Sequence, residues 1–193
     1  MSHLKYTHAL VIGGTGMLRR ASAVIARQSE YFTAIARTSA SLETLAREIG
    51  SSPTDGHSFV ALDWGKPDQF ISDLFRLFEQ GDPPTLVLAW LHDAALGPRV
   101  ATALSSQGTH CDFFQILGSS AATPGARAAG LTSEFGRVAH HQVILGFKVE
   151  GASSRWLTDE EVSSGVLEAI SMRQPTHVVG TTAPWERRPK GTP

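Results

Sequence analysis

The stretch His8–Leu18, HALVIGGTGML, constrains this chain more than any other. Ala9–Ile12 is apolar, Gly13 and Gly16 frame a tight turn, and an amphipathic segment follows at once. A strand that ends in a glycine-rich turn and feeds a helix leaves backbone N–H groups converging on one point. The helix N-terminus adds partial positive charge there, so the turn is a ready anion site. Glycine is required because a Cβ would hold a ligand's phosphates away from the backbone. Gly13, Gly14, Thr15, Gly16, Met17 and Leu18 are therefore expected to form a nucleotide-cofactor turn rather than a merely structural one.

The rest of the chain alternates strand and helix. Met17, Leu18, Ala21, Val24, Ile25 and Gln28 share one helical side, and Tyr31–Ala36 reads as a second strand. Leu42, Leu45, Ala46 and Ile49 form the next apolar stripe, with Gly50 placed to end that helix. Ser58–Leu62 is a third strand, and Pro67 opens a helix carrying Phe70, Ile71, Leu74, Phe75 and Phe78 as far as Gly81. Thr85–Leu91 is nearly all apolar, as in a central parallel strand covered on both faces. A helix from about Pro98 to Gln107 and a strand Phe113–Leu117 come next. Residues 118–139 are small, polar and glycine-rich with little helical periodicity. Gln142–Val149 is expected as a further strand, Thr158 with Glu161 as a capping box, and His177–Val179 as a last strand. Repeated β-α-β units imply an α/β fold, a doubly wound parallel sheet of Rossmann type, in one domain over residues 1–180. Residues 181–193 are expected to form an exposed tail.

Composition narrows the function classes. With 193 residues and a net charge of −1, the chain gives no electrostatic reason to expect nucleic acid or an anionic membrane as partner. Cys111 is the only cysteine, which excludes an intrachain disulfide and a cysteine-based zinc site. No pair among His3, His8, His57, His92, His110, His140, His141 and His177 has the short spacing of a local metal site, so no metal is expected. The opening residues lack a signal-peptide apolar core, and no apolar run reaches the ~18 residues of a membrane helix, so a cytoplasmic protein is expected.

In doubly wound folds ligands sit beyond the carboxyl ends of the strands, and residues there select the cofactor. After the second strand an acid would bind the ribose 2′-hydroxyl of NAD, but this chain has Arg37-Thr38. A guanidinium binds a 2′-phosphate in bidentate fashion, so NADP (NADPH) is the expected cofactor. After the third strand Asp63 either accepts from the adenine amino group, with Trp64 shielding the ring, or caps the helix near Pro67.

With GGTGML at 13–18, Arg37, Asp63 and the pair Ser119-Ser120 after the fifth strand, the chain resembles the short-chain dehydrogenase/reductase family, nearest its small, atypical bacterial members. The segments VILGF (143–147) and SRWLT (154–158) are similar to stretches of such proteins, and the resemblance spans about residues 8–180. It implies an NADP-binding Rossmann domain, a small-molecule substrate and a homo-oligomer. Two departures stand out. The last glycine of the family's turn falls on Arg19. The family's Tyr-x-x-x-Lys pair is missing, since Tyr6 and Tyr31 are followed four residues on by Leu10 and Ile35.

Carbonyl reduction needs a proton donor at the substrate oxygen. In place of tyrosine the chain offers Ser119 or Ser120, matching the family's substrate-orienting serine, and His140 or His141, which as histidine could act as general acid near neutral pH. His92, after the fourth strand, is a further candidate near the nicotinamide side. Two functions fit: an NADPH-dependent reductase with an unconventional proton donor, or a non-catalytic NADP-binding sensor or partner-binding module. A methyltransferase is disfavoured by Arg37, where such enzymes commonly place an acid.

Overall fold

A computed structural model describes residues 5–50, 56–122 and 135–190. The apolar run at the start forms β1 (Tyr6–Ile12), in which Ala9, Leu10, Val11 and Ile12 are buried on both faces. Around it the alternation becomes α1 (Arg19–Arg27), β2 (Ser29–Ala36), α2 (Ser39–Ile49), β3 (His57–Ala61), α3 (Pro67–Gln80), β4 (Leu86–Trp90), α4 (Leu96–Ser105) and β5 (Cys111–Leu117). Then come β6 (Val138–Leu145), the hairpin β7 (Phe147–Glu150) and β8 (Ser153–Trp156), α5 (Asp159–Met172) and β9 (Thr176–Val179).

Among the described residues seven strands pair in the order β3-β2-β1-β4-β5-β6-β9, every pairing parallel. The order reverses between β1 and β4, which opens a crevice beyond their carboxyl ends. Two apolar layers flank the sheet. One joins Leu18, Ile25, Leu42, Leu45, Val162 and Val166 of α1, α2 and α5 to Phe32, Phe114 and Val143. The other joins Phe70, Leu74, Val100 and Leu104 of α3 and α4 to Leu10, Ile12 and Phe113. Each such fully buried side chain contributes roughly 1.5–3 kcal/mol. This is the single doubly wound domain that the alternation implies.

Local signals set the helix ends. Thr38 caps α2 and accepts from the Ser41 amide, and Gly50 closes that helix in the left-handed conformation. Pro67 opens α3. At α5 the capping box is complete: Thr158 Oγ1 accepts from the Glu161 amide, and Glu161 returns a bond from the Thr158 amide. The Glu161 carboxylate also accepts from Lys148 and Arg155, tying the hairpin to α5.

Two expectations fail. β6 does not run over Gln142–Val149; it begins at Val138 and stops at Leu145, and the chain folds back into the β7–β8 hairpin. The polar pair His140-His141 reads as loop in sequence but is paired with Phe113 and Phe114 of β5. Nor is the segment after residue 180 a free tail. Thr181 and Phe147 exchange two backbone hydrogen bonds of 2.9 Å, and Trp185–Arg187 forms a short 3-10 turn. Arg187 donates to the carbonyls of Gly151 and Ser153. Tryptophan and arginine stems offer apolar surface that is better covered than left in water, which is why a charge-rich stretch packs here. Of the irregular 118–139 region, Ser119–Ala122 is a 3-10 turn, and residues 123–134 lie outside the described ones.

Candidate functional site

The turn after β1 is built around backbone approach. Gly13 has φ +76°, and a Cβ on it would strike the Trp90 carbonyl of β4. Its amide donates to Ile35 O at 2.9 Å, so the turn is tied to β2 as well. Gly14 is held by Ser22, whose hydroxyl donates to its carbonyl at 2.9 Å, and a Cβ there would meet that hydroxyl. Gly16 differs: nothing lies within 4 Å of where its Cβ would be. It is bare toward the crevice, the side from which phosphates would arrive.

A cavity of about 290 Å³ is lined by Gly13, Thr15, Gly16, Met17, Arg37, Thr38, Ser41 and Trp64. Arg37 is exposed, and its guanidinium lies 5.4 Å from the centroid of the Trp64 ring. Trp64 itself is buried and meets Phe70 edge-on. Among the described residues no carboxylate pairs with Arg37, whereas Arg19 is engaged by Glu48 and Arg20 by Glu160. The two arginines of α1 therefore point to acids on α2 and α5. Of the expected cofactor residues, Gly13, Thr15, Gly16, Met17, Arg37, Thr38 and Trp64 come together at this cavity. Leu18 and Asp63 do not. Leu18 is fully buried in the apolar layer beneath α1, and Asp63 turns its carboxylate to the Gly65 amide at 2.9 Å, ahead of α3. Gly14 supports the turn from behind.

A second cavity, of about 750 Å³, shares Met17, Trp90 and His92 with the first, so the two adjoin at the carboxyl end of β4. Its wall includes Leu117, Ser119, Ser120, Leu145, Trp156, Leu157 and Arg188. Ser119 is buried, and its Oγ accepts from Arg188 Nε at 2.8 Å.

His140 and His141 are elsewhere. They pair with Phe113 and Phe114, four and three positions before Leu117, so they sit about 13 and 10 Å back along the sheet from its carboxyl edge. His140 stacks on Phe113 at 4.9 Å and donates to Gln115 Oε1 at 3.0 Å. Burial, with a smaller push from His141, lowers its pKa to about 4. A histidine that stays neutral at pH 7 and sits this far from the carboxyl edge of the sheet cannot act as a general acid at the cavity. His141 stacks on Phe114 on the other face, its ring nitrogens against Asp112 Oδ1 (3.2 Å) and Gln174 O (2.9 Å). Arg173 also pairs with Asp112, making this a structural cluster at the far end of the sheet. Burial pushes the Cys111 thiol up to about 12, which leaves it inert.

Sequence reasoning missed Arg188, whose guanidinium lies 4.8 and 5.3 Å from the rings of Trp156 and Trp185. The signal was the density of tryptophan and arginine in a stretch read as tail.

Solved structures align over nearly the whole chain. A bulky-bulky ketone specific alcohol dehydrogenase from Comamonas testosteroni superimposes with a TM-score of 0.69 and 11% identity, covering 93% of this chain and 88% of that one. A short-chain dehydrogenase from Sphingobium yanoikuyae in complex with NADPH gives 0.65 and 12%, covering 93% and 91%. A short chain dehydrogenase/reductase family protein gives 0.63 and 19%, covering 95% and 100%. The chain has the short-chain dehydrogenase/reductase fold. No protein-family model matches the sequence, and no curated protein does. Within this short-chain dehydrogenase-like frame, the cavity at the Gly13–Met17 turn occupies the crevice where doubly wound folds take dinucleotides. Among the described residues no helix is long and apolar enough to cross a membrane.

Proposed function

We propose that the protein is an NADP(H)-dependent oxidoreductase acting on a small carbonyl compound, with a proton donor other than the usual tyrosine. The observation that carries this reading is that the two cavities adjoin, with three lining residues in common. One holds a glycine-lined turn and an acid-free Arg37, and the other a buried serine hydroxyl, with Met17, Trp90 and His92 common to both. The residues fit a dinucleotide phosphate: Gly16 leaves open the volume a Cβ would fill, and Arg37 offers its fork to a 2′-phosphate. NADPH is also what the Sphingobium yanoikuyae neighbour holds.

Gly13, Thr15, Gly16 and Met17 would take the pyrophosphate, and Arg37 with Thr38 the adenosine 2′-phosphate. The bound cofactor supplies hydride. Ser119 accepts from Arg188, so its own hydrogen is directed elsewhere and is available to a substrate carbonyl oxygen. His92 lines both cavities and is the histidine placed to pass on a proton there, taking the role the sequence suggested for His140 or His141. NADPH and NADH titrations, followed by NADPH oxidation against a panel of ketones and aldehydes, test the reading. Absence of NADPH binding would end it.

The second reading, a non-catalytic NADP(H)-binding module, is favoured by one observation. Both tyrosines sit in strands, Tyr6 in β1 and Tyr31 in β2, with no lysine four residues on. Tight NADPH binding without turnover on any carbonyl would select it.

A further inference from the structure

Arg188 is held in place by neighbours that leave its charge unanswered. Six of the twelve described arginines engage an acid: Arg19 with Glu48, Arg20 with Glu160, Arg76 with Asp73, Arg99 with Asp68, Arg155 with Glu150 and Glu161, Arg173 with Asp112. Among the described residues Arg188 has no such partner, although Asp159 lines the same cavity. Its guanidinium is set between the rings of Trp156 and Trp185, at 4.8 and 5.3 Å, which fixes its position without neutralising it. Nε is taken by Ser119 Oγ at 2.8 Å, and no partner for the terminal nitrogens is seen among the described residues. An oriented, uncompensated fork on the wall of a largely apolar cavity is an anion site.

We propose that the second cavity binds a 2-oxo acid, its carboxylate on the terminal nitrogens of Arg188 and its oxo oxygen on the Ser119 hydroxyl. The contact between Arg188 and Ser119 selects this class. The anion-binding group and the carbonyl-binding group touch, so the substrate's carboxylate and carbonyl must be on neighbouring carbons. Met17, Trp90, Leu117, Leu145 and Leu157 line the remaining volume and suit an apolar side chain on the third carbon. The proposal deepens the oxidoreductase reading and rests on it for the reaction, though not for the binding.

The test is calorimetric titration of the NADP⁺-saturated protein with 2-oxo-4-phenylbutanoate and with its uncharged ethyl ester, and of the cofactor-free protein with both. The acid is expected to bind at least ~10-fold more tightly than the ester, a difference of about 1.4 kcal/mol. Arg188→Gln is expected to bring the acid down to the affinity of the ester. Arg188→Lys should recover part of the preference, because it keeps the charge and loses the fork. An acid that binds no better than its ester, or a preference that survives Arg188→Gln, overturns the proposal. Should Arg188→Gln fail to fold by circular dichroism, the wild-type protein still decides. Raising salt from about 0.05 to 0.5 M should weaken the acid and leave the ester unchanged, and no salt effect overturns it. Loss of NADPH binding with the acid preference intact sinks the oxidoreductase reading alone.

Discussion

The guanidinium of Arg37 lies over the indole of Trp64, 5.4 Å from its centroid, at the mouth of the smaller cavity. Trp64 is anchored in the apolar layer by Phe70, so the cation rests on a fixed platform. Arg37→Ala should weaken NADPH binding by at least ~10-fold, about 1.4 kcal/mol, and leave NADH almost unchanged. Parallel fluorescence titrations of the two cofactors check it. Equal losses for both would make Arg37 a structural residue.

The two framing glycines should separate by phenotype. Gly13→Val meets the Trp90 carbonyl and demands a positive φ, so the variant is expected to lose stability as well as cofactor. Gly16→Val projects into open space. It is expected to melt within a few degrees of wild type and to lose NADPH binding, as thermal melts with and without cofactor would show. A Gly16→Val protein that still binds NADPH would move the site off this turn.

If carbonyl reduction is found, Ser119→Ala should lower kcat by ~10²-fold or more, in the range of lost general-acid or carbonyl-orienting contacts. His141→Ala should cost stability, because it leaves Asp112 with Arg173 alone, and should spare kcat in the protein that remains folded. Steady-state kinetics beside denaturant melts distinguish the two. A kcat collapse in folded His141→Ala would move the chemistry away from Ser119 to the opposite end of the sheet.

His140 predicts a pH dependence of stability. Its pKa in the folded chain, about 4, lies below the ordinary 6.5, so the unfolded chain binds the proton more readily. Its contribution is whole above pH 6.5 and is lost as the pH falls toward about 4, so the melting temperature should decline across that window. His140→Phe keeps the stack on Phe113 and removes the titration, so its melting curve should be flatter there. An unchanged slope would assign the decline to other groups.

The half of the site proposed for the cofactor could be located in sequence because it is local. Gly13, Gly16 and Arg37 fall at strand ends, and apolar periodicity located those ends to within a residue or two. The half proposed for the substrate could not, because tertiary contacts assemble it. His140 and His141 are polar and follow a glycine-rich stretch, yet rings on neighbouring strands stack with them and make them part of β6. Leu18 looks like a turn residue next to the glycines, but its side chain faces down into the core. Arg188 and Ser119 are 69 residues apart and meet only in the folded chain, where Gly146 has no room for a Cβ against the Thr181 backbone.

The two cavities draw on nearly separate stretches of the chain. The glycine turn, Arg37, Ser41 and Trp64 come from the first third, while Trp156, Leu157, Val162 and Arg188 come from the last. Met17, Trp90 and His92 are the seam. Exchange of residues in the final segment can thus retune what is accepted beside Ser119 without disturbing what is held at Gly13–Met17. On the proposed function, the acceptor range of such a chain can drift while its appetite for one nucleotide stays constant.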